Sequence, residues 1–341
     1  MAKDLRRRAR GLPHAFIAAR LDGPDYSSEQ RAEMDSRHTA ILMGTHNGSK
    51  FLAPQVRSII QQSHDAWTLW VSDDGSSDNT LSLLQGYQAS LGPSRLQLLR
   101  GPGQGFVRNF LSLVCNSSIE ADYFAYADQD DVWLPDKLQH AMGVLEAYPG
   151  DLPALYCSRT LIIDDAGIEQ GQSLLDSAKP SFPNALIQNI ASGNTMVFNK
   201  AARELLKEAG SEIDVFAHDW WTYLAVSAVG GVVIFDPIPR VQYRQHSTNQ
   251  VGATLTLPAM LRRTRLDRNG HLRSTFRGNI AALENIRHRI SPENLALLDQ
   301  VDLLSHPNPL RRLLAFFQLP FKRQRFLGNC SLGLAIFLGR V

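Results

Sequence analysis

The sequence predicts an α/β protein built on a doubly wound, mixed sheet, followed by a helical and basic C-terminal extension. Short apolar runs of strand type alternate with amphipathic helical runs from Thr39 onward. This alternation is typical of a largely parallel sheet with helices on both faces. Beyond Asp302 the chain has no acidic residue but six lysines and arginines, set between apolar runs that suit helices.

The predicted strands and helices follow one another in a regular order. The run TAILMGT, from Thr39, predicts a buried strand, and Lys50 to Gln62 predicts a helix. The apolar residues of this helix fall on one face, at Leu52, Val56, Ile59 and Ile60. WTLWVSD predicts the second strand, and Asp78 is the expected N-cap of the next helix. LQLLR, a helix from Gly105 to Val114, and DYFAYAD continue the alternation.

The chain divides into three expected segments: an irregular N-terminal extension over 1–37, the α/β domain over 38–255 and a helical region over 256–341. The basic start of the chain does not read as a secretory signal, because its apolar part is short and contains Pro13 and His14. The longest apolar run, Leu327 to Leu338, is interrupted by Asn329 and is shorter than the roughly 18 residues of a membrane span.

Composition narrows the class of protein. With 341 residues, 44% of them hydrophobic and 20% charged, the chain suits one large globular domain or slightly more. The net charge of +2 gives no strong overall field, so no nucleic-acid partner is expected. The three cysteines are far apart and odd in number, which predicts free thiols in a reducing compartment.

Polar residues gather where three of the predicted strands end. The first strand ends in GTHNG, the second in SDDGSSDNT and the fourth in YADQDDVWLPD. Taken singly, each is explained by turn chemistry, because Asn-Gly and Asp-Gly favour turns and Asp caps helices. Ligands in doubly wound sheets bind beyond the carboxyl ends of the strands, so three such sets together predict one pocket.

Longer stretches of the chain resemble the family 2 glycosyltransferases of GT-A fold, a Rossmann-like fold of nucleotide-diphospho-sugar transferases. The resemblance covers Thr39 to Gly252: TAILMGTHNGSKFLAPQVRSIIQQSHDAWTLWVSDDGSSDNT, ADQDD at the family's DxD metal motif, NIASGNTMVFNK, HDWW and YRQHSTNQVG. The last segment is similar to the bacterial rhamnosyltransferase-like branch. The resemblance implies an inverting, metal-dependent enzyme of cell-surface polysaccharide synthesis. Its donor would be a UDP- or dTDP-sugar, with dTDP-rhamnose a candidate, and its acceptor a saccharide or lipid-linked saccharide.

The resemblance also assigns the donor nucleotide to the first two strand ends. Asp74 is implied to accept the imide N–H of uracil or thymine, with Thr45 and Asn47 lining the base and the ribose. Asp73 is expected to hold its own turn instead. Arg108 is implied to lie near the phosphates or the base, and a charge on the helix surface is the alternative.

A divalent cation, Mg2+ or Mn2+, is implied at the fourth strand end. Asp130 is the expected direct ligand, and Asp128 is expected to hold the ion or the donor ribose. Asp131 either shares this role or caps the next helix. The resemblance also implies a histidine near the metal after the last strand, which makes His246 a further candidate ligand, and an ordinary loop histidine is the alternative. Imidazole suits Mn2+ better than Mg2+.

The resemblance implies that Asp219 in AHDWW is the general base, which removes the proton of the acceptor hydroxyl. The alternative is the N-cap of the helix that it opens. His218 either orients this base or faces solvent. Trp220 suits stacking on a sugar, and Gly193 and Asn194 form either an acceptor floor or a plain turn.

The arginine-rich C-terminal region predicts a further partner. Apolar stretches between cations suit helices that lie on an anionic membrane surface, and a helical cap packed on the catalytic domain is the alternative. We therefore expect a cytoplasmic location at the inner face of the cell membrane. The chain lacks a QxxRW segment, so transfer of a single sugar is expected rather than processive synthesis. A non-catalytic GT-A partner that binds nucleotide or sugar is the alternative function, and the presence of every expected carboxylate favours the enzyme.

Overall fold

The computed structural model describes residues 36–175, 179–246 and 271–340. These residues form eleven strands: β1 (Thr39–Thr45), β2 (Trp67–Asp73), β3 (Leu96–Arg100), β4 (Tyr123–Ala127), β5 (Val132–Trp133), β6 (Ala154–Ser158), β7 (Leu161–Ile163), β8 (Glu169–Gln172), β9 (Val197–Asn199), β10 (Val232–Asp236) and β11 (Val241–Arg244). Seven of them build a central sheet in the order β10-β6-β9-β4-β1-β2-β3. The predicted mixed α/β fold is confirmed.

The helices of the same residues lie between and after these strands: α1 (Leu52–Ile60), α2 (Thr80–Leu91), α3 (Phe106–Cys115), α4 (Lys137–Leu145), α5 (Phe182–Ala185), α6 (Lys200–Ala209), α7 (His218–Ala228), α8 (His271–Glu284), α9 (Pro292–Leu298), α10 (Pro309–Gln318) and α11 (Phe326–Phe337). A short 3-10 turn at Gly193–Thr195 comes just before β9.

The direction of the strands brings distant segments of the chain to one edge of the sheet. β1 is parallel to both β2 and β4, with Thr45 paired to Asp73 and Met43 paired to Ala127. β9 runs antiparallel to β4, so the turn that precedes β9 lies at the edge where β1, β2 and β4 end. This edge is where ligands bind in open α/β sheets.

Each face of the central sheet has its own hydrophobic core, because successive side chains of a strand point to opposite faces. In β1, Ala40 and Leu42 join one core, together with residues of α3, α6 and α7. Ile41 and Met43 join the other core, with residues of α1 and α4. The result is a three-layer arrangement of helices, sheet and helices.

A second, four-stranded sheet of order β5-β11-β7-β8 connects the acidic segment to the end of the α/β domain. β5 begins directly after Asp131, and β11 pairs antiparallel with it through Val241 and Trp133. β11 ends at Arg244, so the residues after it reach the end of β4.

The predicted strands agree with the structure, and the helices differ from it at their ends. α1 begins at Leu52 rather than Lys50 and ends at Ile60 rather than Gln62. Ile60, expected on one face with Leu52, Val56 and Ile59, is 38% exposed, whereas the other three are buried. Asn79 occupies the N-cap position of α2 that was expected for Asp78. The carboxylate of Asp78 still accepts the backbone N–H of Thr80, at 3.0 Å.

The described part of the C-terminal region packs on the α/β domain. Asn294 donates hydrogen bonds to the carbonyl oxygens at the end of α7, and Asn285 donates to the carbonyl of Ala209 at the end of α6. Leu283 and Ile286 share the core that contains Trp221. The helical cap on the α/β domain, which was the alternative to a membrane-bound region, is therefore present. The expected boundaries at 37/38 and 255/256 stay predictions, and the second of them lies outside the described residues.

Candidate active site

The ends of β1, β2 and β4 are connected by direct hydrogen bonds. The side chain of Gln129 makes two of them with His46: its Oε1 accepts the backbone N–H and its Nε2 donates to the carbonyl, each at 3.0 Å. The Oδ1 of Asn47 accepts the backbone N–H of Ser77 at 2.8 Å. The prediction that these strand ends come together is thereby confirmed.

Thr45 and Asn47, two candidates for contact with the donor nucleotide, have structural roles at this edge. The hydroxyl of Thr45 donates to the carboxylate of Asp73 at 3.0 Å, and this carboxylate also accepts the N–H groups of Gly75 and Ser76. Asp73 therefore holds its own turn, as predicted. Asn47 adopts a positive φ of 49°, a conformation that asparagine tolerates better than most residues.

Asp74 organises the loop between β3 and α3. Its two carboxylate oxygens accept the backbone N–H groups of Gly103 and Gly105, at 2.6 and 2.7 Å. Gly105 has a φ of 90°, which favours glycine there. Each carboxylate oxygen has a second lone pair, so Asp74 can still accept a donor from a ligand.

The acidic segment after β4 meets the residues after β11. The Nε2 of His246 lies 2.8 Å from a carboxylate oxygen of Asp130, and the imidazole stacks on the ring of Phe51 with centroids 5.0 Å apart. Arg244 donates from its Nε to the carbonyl of Asp130 at 3.1 Å. Two of the three predicted metal ligands, Asp130 and His246, are therefore in direct contact.

Asp131 is fully buried and forms a separate network. One carboxylate oxygen accepts the Nδ2 of Asn194 at 2.5 Å, and the other accepts the backbone N–H of Arg244 at 3.0 Å. The ammonium of Lys137, also buried, donates to the carbonyl of Asn194 at 2.8 Å. Asp131 does not cap α4, whose N-cap is Asp136, so that alternative is wrong.

Burial and mutual repulsion perturb the protonation of these carboxylates. Burial, followed by the negative charge of Asp130, raises the pKa of Asp131 to about 7. Burial raises the pKa of Asp128 well above its usual range, and the charges of Asp131, Asp130 and Asp219 add to the effect. Burial lowers the pKa of Lys137, which Asp131 and Asp128 partly offset. The four carboxylates thus form one electrostatic unit, which we call the acidic cluster: Asp128, Asp130, Asp131 and Asp219.

Asp219 is the second residue of α7, and Ala217 occupies the N-cap position, so the alternative role of Asp219 as N-cap is wrong. Its carboxylate accepts the backbone N–H groups of Gly193, at 3.1 Å, and Trp220, at 2.6 Å. Burial raises the pKa of Asp219 to about 6, although these hydrogen bonds oppose the shift. A carboxylate with this pKa is ionised near neutral pH and is still basic enough to accept a proton.

His218 is buried among aromatic rings and does not face solvent. It stacks on Phe110 with centroids 3.9 Å apart and meets the edge of Tyr126 at 4.7 Å. Burial lowers the pKa of His218 to about 3, so the imidazole is neutral near pH 7. A neutral ring gives Asp219 no counter-charge, which leaves packing as the way in which His218 can orient this carboxylate.

The other candidate residues have diverse environments. The indole N–H of Trp220 donates to the carbonyl of Ala185 at 2.6 Å, and its ring is partly exposed beside Phe216. Arg108 donates to the carbonyl of Ser211 and lies 3.3 Å from the carboxylate of Glu212. Contact of Trp220 and Gly193 with an acceptor, and of Arg108 with a donor, stays a prediction. The buried side chain of Asn194 contacts Asp131 rather than the surface.

The residues at the end of β4 have the chemistry that a hard divalent cation requires. Within 36–175, 179–246 and 271–340, no three histidine, cysteine or acidic side chains are arranged to hold a metal ion by themselves. Mg2+ and Mn2+ in nucleotide sites are commonly held by one or two carboxylates, with phosphate oxygens completing the shell. Asp130 and His246, with Asp128 beside them, fit such an incomplete set.

Sequence reasoning missed three residues that shape the site. Gln129 connects the end of β4 to the end of β1 by its hydrogen bonds with His46. The buried Lys137 donates to the carbonyl of Asn194, beside the acidic cluster. The buried side chain of Asn109 donates to the carbonyl of Ser72 at 2.8 Å. The sequence contained a weak signal for Lys137. This residue directly follows YADQDDVWLPD, which has four acidic residues, and it begins a helix whose other inward-facing residues are apolar. Gln129 belongs to the polar set at the fourth strand end and Asn109 follows Arg108, but no pattern in the sequence predicts the contacts of either.

Comparisons with known proteins agree with this geometry. Residues 40–205 match the model of Glycosyl transferase family 2. The dTDP-rhamnosyl transferase RfbG of Shigella flexneri is 30% identical over 236 residues, which is 67% of this chain and 79% of that protein. TarS 1–349 of S. aureus has a similar fold, with a TM-score of 0.53 at 14% identity over 89% of this chain and 81% of that one. GalNAc-T7, in a structure with UDP, GalNAc and Mn2+, has a TM-score of 0.51 at 13% identity, over 79% and 58% of the two chains. The chain belongs to glycosyl transferase family 2 and is a glycosyltransferase of GT-A fold.

Proposed function

We propose that this glycosyltransferase is inverting and metal-dependent, and that it transfers one sugar from a nucleoside diphosphate to a saccharide or lipid-linked saccharide. The observation that supports the proposal is that the acidic cluster lies at the same edge of the sheet as the ends of β1 and β2. Asp128 and Asp219 come from segments 91 residues apart in the sequence, yet the charge of Asp219 acts on Asp128.

The donor nucleotide is proposed to lie over the ends of β1 and β2. Asp74, fixed by the N–H groups of Gly103 and Gly105, accepts the imide N–H of uracil or thymine. Cytosine lacks this donor, which gives a preference for UDP- and dTDP-sugars. Thr45 and Asn47 line the base and ribose, because they connect the two loops that bound this space.

Asp130, Asp128 and His246 are the residues proposed to hold Mg2+ or Mn2+. The cation would neutralise the diphosphate and act as a Lewis acid as the leaving group departs. Support comes from the direct contact of Asp130 with His246 and from the unfavourable crowding of carboxylates in the protein alone. That Mn2+ is present with GalNAc-T7, a protein of the same fold, is consistent with this assignment.

Asp219 is proposed to act as the general base. The acceptor hydroxyl oxygen attacks the anomeric carbon, and a new glycosidic bond forms on the opposite side from the leaving group. The bond between that carbon and the diphosphate oxygen breaks, the proton moves to Asp219, and the nucleoside diphosphate leaves. One displacement of this kind inverts the anomeric configuration. Gly193 and Trp220 are proposed to bound the acceptor, because both contact Asp219.

The nucleotide and sugar of the donor are proposed from one of the sequence relatives. RfbG is named a dTDP-rhamnosyl transferase, and its match with this chain covers 79% of the length of RfbG. This favours dTDP-rhamnose as the donor to test first. A place in cell-surface polysaccharide synthesis, in the cytoplasm at the inner face of the membrane, completes the proposal. The alternative of a non-catalytic binding partner is disfavoured because Asp74, Asp128, Asp130 and Asp219 are all present.

The test is to incubate the protein with UDP- and dTDP-sugars, Mn2+ and a bacterial lipid extract, and to follow release of the nucleoside diphosphate. We expect release with at least one donor and its loss with EDTA. An isolated product should have the anomeric configuration opposite to that of the donor. Release that persists in EDTA would contradict metal dependence, and retention of configuration would contradict the single displacement.

A further inference from the structure

Helix α10 presents a stripe of apolar side chains to solvent. Leu310, Leu314 and Phe317 are 63%, 60% and 75% exposed. Their spacing of four and three residues places them on one face of the helix. Ala315 and Phe316, on the opposite side, are buried in the core. A helix that is apolar on both sides is expected where both sides are covered.

Helix α11 repeats this arrangement. Phe326, Leu327 and Leu334 are 80%, 69% and 60% exposed, whereas Leu332 and Ile336 are buried. We call the exposed set of the two helices the outer apolar surface: Leu310, Leu314, Phe317, Phe326, Leu327, Leu334 and Leu338. It holds seven of the fifteen large apolar side chains that are exposed among the described residues. Single exposed apolar residues are normal, but such a concentration indicates an interaction site.

The two helices are firmly joined to each other. Arg312 of α10 donates to the carbonyl of Phe337 at the end of α11, so the start of one helix lies near the end of the other. Phe316 packs over Gly333, where a Cβ atom would lie 3.2 Å from the ring.

They are also fixed to the catalytic domain. Asn184 donates to the carbonyl of Lys322 at 2.8 Å, and the backbone N–H of Gln324 donates to Gln188 at 2.9 Å. Because both bonds involve the segment that connects α10 to α11, the outer apolar surface has a fixed orientation relative to the active site.

Charge complementarity identifies the partner. No acidic residue follows Asp302, whereas Arg311, Lys322, Arg325 and Arg340 are exposed on or beside the two helices. A second copy of this chain would bring like charges together, which is unfavourable at an interface. Anionic lipid headgroups would instead pair with the cations while the apolar side chains enter the acyl boundary. In the described part of the chain, no helix is long and apolar enough to cross a bilayer.

We propose that the outer apolar surface and its flanking cations bind the surface of an anionic phospholipid bilayer, with α10 and α11 lying in the interface. Binding by this surface does not depend on the donor, the metal or the reaction. It would hold the active site at a constant height above the membrane, where a lipid-linked acceptor presents its saccharide.

The test is cosedimentation of the full chain with vesicles, in the absence of donor. One set contains phosphatidylcholine alone, and the other contains about one third phosphatidylglycerol. We expect at least about tenfold tighter binding to the anionic vesicles, and a strong loss of binding in about 1 M salt, because salt screens the headgroup charge. Equal binding to both vesicle types, or none to either, would overturn the proposal.

Two substitutions locate the binding surface. Leu314→Glu with Phe317→Glu places two acids on the outer apolar surface and is expected to weaken binding to anionic vesicles at least about tenfold. Ile168→Glu is the matched control, because Ile168 is 62% exposed in the turn before β8, and it should bind as the unaltered chain does. Equal weakening by both changes would overturn the assignment to α10.

A charge variant and a measurement of mass separate the remaining outcomes. Lys322→Gln with Arg325→Gln should remove most of the preference for anionic vesicles, and all variants should keep the melting temperature of the unaltered chain, because the altered residues are exposed. Sedimentation equilibrium without lipid measures self-association of the chain. Phe317→Glu should leave the measured mass unchanged, because the outer apolar surface is not expected to bind a second copy. The proposal would be overturned if the unaltered chain were a dimer that did not bind vesicles and if Phe317→Glu made it a monomer. That result would show that the outer apolar surface binds a second copy of the chain.

Discussion

The imidazole of His246 and the carboxylate of Asp130 are in contact at 2.8 Å, although 116 residues separate them in the sequence. β5 and β11 create this contact, because their antiparallel pairing returns the chain to the end of β4. The second sheet thus completes the candidate metal site, which the central sheet alone provides only in part.

The Asp130–His246 pair predicts how the response to metal depends on each residue. Asp130→Asn should raise the Mn2+ concentration needed for half-maximal stabilisation by UDP or dTDP at least about tenfold, because it removes the charged oxygen of the proposed ligand. His246→Gln should weaken the response to Mn2+ more than that to Mg2+, since imidazole suits Mn2+ better. Thermal shift with each metal measures both effects. Asp151→Asn, at an exposed loop position, is the control, and an unchanged metal response of Asp130→Asn would refute the assignment.

Asp219 predicts a loss of transfer without a loss of donor binding. Asp219→Asn should lower kcat by about 10²–10⁴-fold and leave the affinity for the nucleotide within about twofold, because general base catalysis acts on the acceptor. Asp214→Asn alters an exposed carboxylate five residues earlier and should keep full activity. Full transfer by Asp219→Asn would exclude this residue as the base.

The raised pKa of Asp219, about 6, gives this prediction a pH dependence. A base must be ionised to accept a proton, so kcat/KM of the unaltered enzyme should fall about tenfold per pH unit below about pH 6. The residual kcat/KM of Asp219→Asn should not show this decrease at acidic pH. The measurement is the acidic limb of kcat/KM for both proteins over the same buffers.

Gly193 predicts how precisely Asp219 must be placed. A Cβ atom at Gly193 would lie 2.9 Å from the Nε2 of His218 and 3.2 Å from the Cβ of Asp219. His218 cannot retreat, because it stacks on Phe110, so the turn that donates to Asp219 must shift. Gly193→Ala should therefore lower kcat by about 10–100-fold while donor binding is retained. Gly150→Ala, with no atom within 4 Å of the added Cβ, is the control and should be neutral.

Lys137 predicts a large effect on stability. Lys137→Met removes the positive charge that acts on the carboxylates of Asp131 and Asp128, and it leaves the carbonyl of Asn194 without its donor. Leaving a buried acceptor without its hydrogen-bond donor costs about 1–3 kcal/mol of unfolding free energy, and loss of the positive charge adds to this cost. Urea unfolding measures this loss. Lys200→Met, which alters a side chain that is 59% exposed and near Glu120, should cost less than about 1 kcal/mol, and an equal cost of both changes would contradict the role of Lys137.

Asp131 predicts the pH dependence of stability. Its pKa is raised to about 7 in the folded protein, above the roughly 3.9 of an unfolded chain. The folded state therefore binds the proton more tightly, so this contribution to stability is complete below about pH 4 and is lost as the pH rises through about 7. Between about pH 5 and 8 the loss is on the order of 2 kcal/mol.

Asp131→Asn should remove this dependence. Asn194 can turn its amide so that its Oδ1, which is buried without a hydrogen-bond partner, accepts the new amide. The difference in unfolding free energy between the two proteins should therefore change with pH in favour of Asp131→Asn as the pH rises. A difference that is constant from about pH 5 to 8 would contradict a raised pKa for Asp131.

The sequence predicts the edge of the sheet well and the interior of the site poorly. Strand identity follows from apolar runs, and turn residues such as Asn47 and Asp74 mark the strand ends, so their meeting at one edge of the sheet could be derived from local patterns. Asp131 and Lys137 could not be placed in this way. Their burial depends on β11 and on the turn before β9, which are distant in sequence.

The environment of His218 was equally inaccessible to sequence reasoning. A histidine beside Asp219 at the start of a helix suits either a catalytic partner or a solvated position, and only the packing of α7 against α3 and β4 surrounds it with Phe110 and Tyr126. The helices of the C-terminal region were predictable from apolar stretches set between cations. Their packing on α6 and α7 was one of two alternatives, because periodicity does not identify the partner of a helix face.

The position of Cys330 gives the chain a natural point of attachment for a probe. Cys330 is exposed on α11 between Leu327 and Leu334, whereas Cys157 is buried and burial raises the pKa of Cys115 to about 11. Because the thiolate is the reactive form, a maleimide at neutral pH should modify Cys330 first. An environment-sensitive fluorophore attached there would report directly, without any engineered residue, whether this helix leaves water when vesicles are added.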